Sequence, residues 1–152
     1  MATIPNIAKG KVAQLATLPA ANDALVAVLL QSTGLESEAT LRDYDTLAQI
    51  LAASNDEVTS PGYNRQTLAS VTVTVDDTND RVDVDCADPS WTVTASVQNV
   101  GAVVICYDPD TTGGTDADLV PIFLDVLSSA FTPTASVAFS YQVAAAGFAR
   151  AA

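Results

Sequence analysis

The sequence predicts a mainly-β fold, a single-domain β-sandwich or small barrel with one amphipathic helix inserted at about residues 40–54. Three observations carry this prediction. From Arg65 onward, the runs "RQTLASVTVTV", "RVDVDC", "WTVTASV" and "GAVVICY" follow a two-residue period rich in Val and Thr. Clusters of Asp, Asn, Pro and Gly separate them as turns. The length of 152 residues with 49% hydrophobic content suits one domain, residues 1–152, with its own core.

The first segment reads as two strands. "GKVAQLAT" alternates weakly, with Val12, Gln14 and Ala16 on one face, and "TLPAAND" supplies turn chemistry. "ALVAVLLQ" then reads as a more buried strand. In "TLRDYDTLAQILAASND", Leu41, Tyr44, Leu47, Ile50 and Leu51 form an apolar stripe at helical spacing. Thr40 stands at the N-cap, Asp43 three residues on, and Asn55 at the stop. Packing on a sheet is the simpler role for this helix, and docking into a partner's groove is the sharper one. "LVPIFLDVL" is expected to be a strand with Pro121 at an edge or bulge. "VAFSYQVA" is a further alternating strand.

The stretch "VTVTVDDTNDRVDVDC", from Val71 to Cys86, holds five aspartates in sixteen residues. A hairpin turning at Thr78-Asn79 pairs Val75 with Val82, Val73 with Val84 and Val71 with Cys86 on one apolar face. The other face then opposes Thr74 to Asp83 and Thr72 to Asp85, hydroxyl donors against carboxylates. Asp76, Asp77 and Asp80 surround the turn, where aspartate is favoured. The acidic cluster is therefore read as structural.

A second cluster, "YDPDTTGGTDADL", is the weak metal candidate: Asp108, Asp110, Asp116 and Asp118 flank Gly113-Gly114 and could meet at a hard cation. Against the calcium-loop pattern, Gly113 falls correctly, but Thr112 and Leu119 stand where two oxygen ligands belong. A solvated loop is the simpler reading, so no metal and no cofactor are expected. The "DTTGG" stretch departs from the D-T-G of aspartic proteases by an extra Thr. No phosphate-binding or dinucleotide-binding glycine motif is present. The chain has no histidine, which removes Ser-His-Asp and Cys-His chemistry. These observations read as a non-enzymatic protein.

Six basic residues against eighteen acidic ones give a formal charge of −12, which disfavours nucleic acid and anionic lipid as partners. The longest apolar run, "ALVAVLL", is seven residues, far short of the roughly 20 of a membrane span. The N-terminus lacks the pattern of a signal peptide, so synthesis in the cytoplasm is expected. Cys86 and Cys106 are open to two readings, a disulfide in an oxidising compartment or two buried free thiols. The short apolar terminal arms, with Ile4, Ile7, Phe148 and Arg150, are expected to be held against a neighbouring molecule or against the protein's own body.

Five landmarks in order, "AKGKV", "ATLRDYDTLAQILAASNDE", "DDTNDRVDVD", "VVICYDPDTTGGTDADLVP" and "AAAGFARA", span nearly the whole chain. In these the sequence resembles small virion structural proteins of tailed bacteriophages, especially phages of actinobacteria. The resemblance implies a capsid decoration protein on the exterior of the phage particle, binding the major capsid protein or other virion proteins and stabilising the shell. The alternative it admits is a minor tail or fibre-associated protein, including a host-surface binding module. A homo-oligomer, with a trimer favoured, suits such a role. The resemblance brings no catalytic residues with it.

Overall fold

The computed structural model describes residues 2–95, 98–144 and 147–151. At its centre is the run that looked most buried in sequence. Strand β2 (Ala24–Gln31) is buried at seven of its eight positions. It lies between β7 (Val100–Asp108) and β3 (Gln66–Thr67) in a five-stranded sheet. On the far side of β7 come β8 (Val120–Phe131) and the short β1 (Ala2–Thr3), so the order is β1-β8-β7-β2-β3. Side chains alternate along these strands, which fill two separate apolar clusters. Leu25, Ala27, Leu29, Val103 and Ile105 belong to one, and Val26, Val28, Leu30, Ala102 and Val104 to the other.

Pro121 lies in β8 at an irregularity, as its missing N–H requires. Ile105 pairs with Phe123 but Cys106 pairs with Pro121, leaving Ile122 as the extra residue. The bulge turns Ile122 and Phe123, neighbours in sequence, into the same core cluster.

One face of the central sheet is covered by helices. Where one helix over about residues 40–54 was expected, two short ones form: α2 (Glu38–Leu41) and α3 (Leu47–Ala52). The chain carries two competing N-caps. The Ser37 hydroxyl accepts from the Thr40 N–H at 3.3 Å, and the Thr46 hydroxyl accepts from the Gln49 N–H at 3.2 Å. Thr46 is extended, which breaks the run, and Gln49 Oε1 returns the bond by accepting from the Asp45 N–H at 2.7 Å. Thr40 is thus inside the first helix rather than capping it. The apolar stripe survives the break, with Leu41, Leu47 and Ile50 all buried against the sheet.

Asn55 is a more elaborate stop than a turn residue. It is fully buried, donates to the Glu36 carboxylate and the Ile50 carbonyl, and accepts from the Glu36 N–H.

The other face is covered by two smaller sheets and one helix. The expected first strand is instead α1 (Val12–Ala16), following a 3-10 turn at Asn6–Ala8. Val12 and Ala16, one helical turn apart, are the residues that bury, so a helical spacing won over weak alternation. Beside it, β4 (Thr72–Asp76) and β5 (Arg81–Asp85) form the hairpin, and β10 (Ala149–Ala151) pairs with β5. Strands β6 (Ser90–Thr92) and β9 (Ala138–Ser140) make the last sheet, so "VAFSYQVA" is a strand over only three residues.

The hairpin register agrees with expectation: Val75 opposes Val82, Val73 opposes Val84, Thr74 opposes Asp83 and Thr72 opposes Asp85. Its turn is Asp77–Asp80, after a last pair between Asp76 and Arg81. Two details differ. Val75 is 65% exposed because the tip projects beyond the core. The carboxylates also do not bond the threonines: Asp83 is held by Arg81 and Arg150, and Asp85 accepts from the Cys86 N–H. The Val71–Cys86 pair lies beyond the ladder, since Ala87 already bonds Ala69 one register off.

Candidate interaction surface

Between the central sheet and the β6/β9 pair lies a groove of about 290 Å³. Leu29, Val100 and Val103 form its floor, Trp91 and Phe139 one wall, and Leu127 and Phe131 the other. Trp91 is positioned by its indole N–H, which donates to the Asn64 carbonyl at 3.0 Å. Its ring stacks on Phe139 with centroids 5.8 Å apart, and Phe139 meets Phe131 at 5.3 Å. This aromatic series runs from a buried Trp91 to Phe131, 43% exposed at the surface. Val137, 52% exposed, sits on the adjoining loop, which is tied down by the Ser136 N–H donating to the Val93 carbonyl. Tyr141, also lining the groove, donates to Asp125 at 2.8 Å. None of the ten lining residues is charged.

The charge that is missing there is concentrated elsewhere. Arg65 is held on both sides: Nε and Nη2 donate to Glu57, Nη1 and Nη2 to Asp116, at 2.5–3.2 Å. Tyr63 adds a bond to Glu57 at 2.9 Å and accepts from the Leu29 N–H. Hydrogen bonds from Arg65 lower the Asp116 pKa, and those to Glu57 and Asp116 raise that of the guanidinium. This clamp fastens the acidic loop to the segment after α3.

The loop carboxylates are accordingly engaged one by one rather than gathered. Asp108 accepts from the Asp110 N–H, Asp110 from the Thr112 N–H and hydroxyl, and Asp118 from the Thr115 N–H and hydroxyl. Asp116 belongs to Arg65. Among the described residues, no three His, Cys, Asp or Glu side chains come together as a metal-binding group.

Cys86 and Cys106 are both free and buried, and they sit in different apolar clusters on opposite faces of the central sheet. Burial raises both thiols, Cys86 to about 11.

The terminal arms pack on the protein's own body. Ile4 and Ile7 lie against the larger core cluster, Phe148 is 8% exposed and meets Phe123 edge-on, and Arg150 donates to Asp83 at 2.6 Å. That last bond is the main reason the Asp83 pKa is lowered.

Neither the Arg65 clamp nor the aromatic series announces itself by local spacing: Arg65 and Asp116 are 51 residues apart. The groove does leave one trace in the sequence, a run of 24 uncharged residues from Val126 to Ala149.

The site is thus an uncharged aromatic groove on a mainly-β protein of packed sheets. Comparison with known proteins finds no matching family model, no matching curated protein and no matching solved structure. Among the described residues, no helix is long and apolar enough to cross a membrane.

Proposed function

We propose that the protein is a non-enzymatic virion structural protein, a capsid decoration protein that binds the assembled phage shell and stabilises it. The observation that carries the reading is the contrast between an acidic chain and an uncharged apolar groove beside the exposed Phe131 and Val137. Exposed apolar patches of this kind mark docking surfaces, and aromatic side chains are the usual anchors. The acidic remainder keeps particles apart and repels packaged DNA. The sequence resemblance to phage structural proteins supplies the setting.

Quantitative mass spectrometry of heads and tails separated from purified phage particles tests this. The expected result is a fixed stoichiometry to the major capsid protein on heads, with heads lacking the chain less resistant to heat. A few copies found on tails alone would move the protein to the minor tail class, and absence from particles would end the virion reading.

A further inference from the structure

The strand edges of this fold differ in how they are guarded. Among the described residues the three sheets end in six edge strands. β1 and β3 have two residues each, β6, β9 and β10 have three, and β4 has five. Shortness and charge keep an edge from pairing with another chain, and β10 carries Arg150 besides being short. Strand β4 has neither protection over residues 72–75: no charge, no proline, and an unbroken register with β5. Outside that ladder these four residues make no hydrogen bond among the described residues, so the outward N–H and C=O groups of β4 meet no other part of the protein. Thr72, Thr74 and Val75 are exposed, Val75 at 65%.

We propose that this edge takes up an extended, basic segment of another polypeptide, which joins the three-stranded sheet as a fourth strand beside β4. A row of unpaired N–H and C=O groups is satisfied in register only by another extended backbone, so the hydrogen bonds define the form of the occupant. Charge defines its composition. The hairpin from Val71 to Cys86 has five aspartates and one arginine, and Arg150 bonds Asp83 from the side of β5 away from β4. Asp76 and Asp77 stand where β4 ends, so lysine or arginine on the incoming strand meets acidic surface. The same count turns away a second copy, whose hairpin would bring five more aspartates to the edge. Val73 and Val75, which share a face, favour β-branched residues at alternate positions of the occupant.

This edge is separate from the aromatic groove and does not depend on the virion reading, and it lies on the groove side of the central sheet, away from the helices. Fluorescence anisotropy of the purified full chain with labelled, end-capped peptides of about eight residues is the test. The probe alternates valine with lysine. It is compared with a version carrying glutamate for lysine, and with versions N-methylated at every second residue in either phase. The expected result is saturable binding of the lysine peptide with a Kd between about 10 and 500 µM. Glutamate should weaken it at least ~10-fold. Methylation should do so in one phase and not the other, because only alternate N–H groups of an added strand face β4. Val75→Lys, at an exposed position, should weaken binding at least ~10-fold, whereas Val137→Lys at the groove should leave it unchanged. Circular dichroism should show both variants folded. No saturable binding below about 1 mM, equal binding of the glutamate peptide, the same response to both methylation phases, or binding insensitive to Val75→Lys would each overturn the proposal.

Discussion

The two faces of the central sheet are built from the same strands and end in different states. On one face, Val28, Leu30, Ala102, Val104 and Cys106 are sealed under Leu41, Leu47 and Ile50, none of them more than 1% exposed. On the other, Leu29, Val100 and Val103 are buried almost as deeply, and the groove opens above them beside Phe131, 43% exposed. The difference lies in the covering elements. Two capped helices, held in place by a buried Asn55, project long aliphatic side chains onto the sheet. The opposite cover near the groove is a pair of three-residue strands whose rings stack on one another as well as on the sheet. Stability is concentrated on the first face, and the proposed contact surface lies on the second.

The sharpest way to break that contrast is a matched truncation. Leu47→Ala, on the sealed face, should cost about 3 kcal/mol by thermal or chemical unfolding, since the helix cannot collapse into the cavity it leaves. Leu127→Ala, half-buried at the groove, should cost about 1 kcal/mol. Equal losses would mean the two faces are equally packed.

A smaller effect belongs to the clamp joining the loops. Arg65→Gln should cost about 1 kcal/mol at neutral pH, a figure discounted because the partners are partly exposed. The folded-state pKa of Asp116 lies below its unfolded value, so its contribution is present above about pH 4. It is lost as pH falls through the folded value. The gap between wild type and Arg65→Gln should therefore close in acid, and a gap that widens would contradict the clamp.

The thiols divide along the same line between faces. For Cys86 the folded-state pKa of about 11 exceeds the unfolded one, so the thiol favours the native state fully below about pH 9. That contribution fades as pH rises through 11. At pH 8 its thiolate fraction should be ~100-fold below that of an unfolded thiol. Disulfide-exchange labelling should modify Cys86, 8% exposed, before Cys106, which is fully buried and should wait for unfolding. Simultaneous labelling would place Cys106 nearer the surface than the helical cover allows.

How legible this was in sequence depended on how local the deciding interactions are. The hairpin register followed from counting valines, because period-two alternation and a turn are local facts. So did the deep burial of "ALVAVLLQ", while Pro121, read as an edge or a bulge, is a bulge. The helix region was half legible: the stripe of Leu41, Leu47 and Ile50 was plain, but Ser37 and Thr46 competed as caps and split it. "GKVAQLAT" misled because its alternation is shallow and Val12 and Ala16 satisfy a helical turn equally well. The four loop aspartates suggested a cation until Arg65, distant in sequence, claimed Asp116. The groove depends on Trp91, Phe131 and Phe139 converging across tens of residues, and the sequence reading missed it; the absence of charge between Val126 and Ala149 is the one trace that points there.

The central claim is that contact with other molecules runs through the uncharged groove face, while the helical face is purely structural. Amide hydrogen exchange of the full chain, compared between the free protein and the protein bound to assembled phage heads, tests it most directly. The account predicts protection on binding in residues 127–131 and 137–142, with no change in residues 38–52. Protection that grows instead over α2 and α3, with the groove segments unchanged, would contradict it.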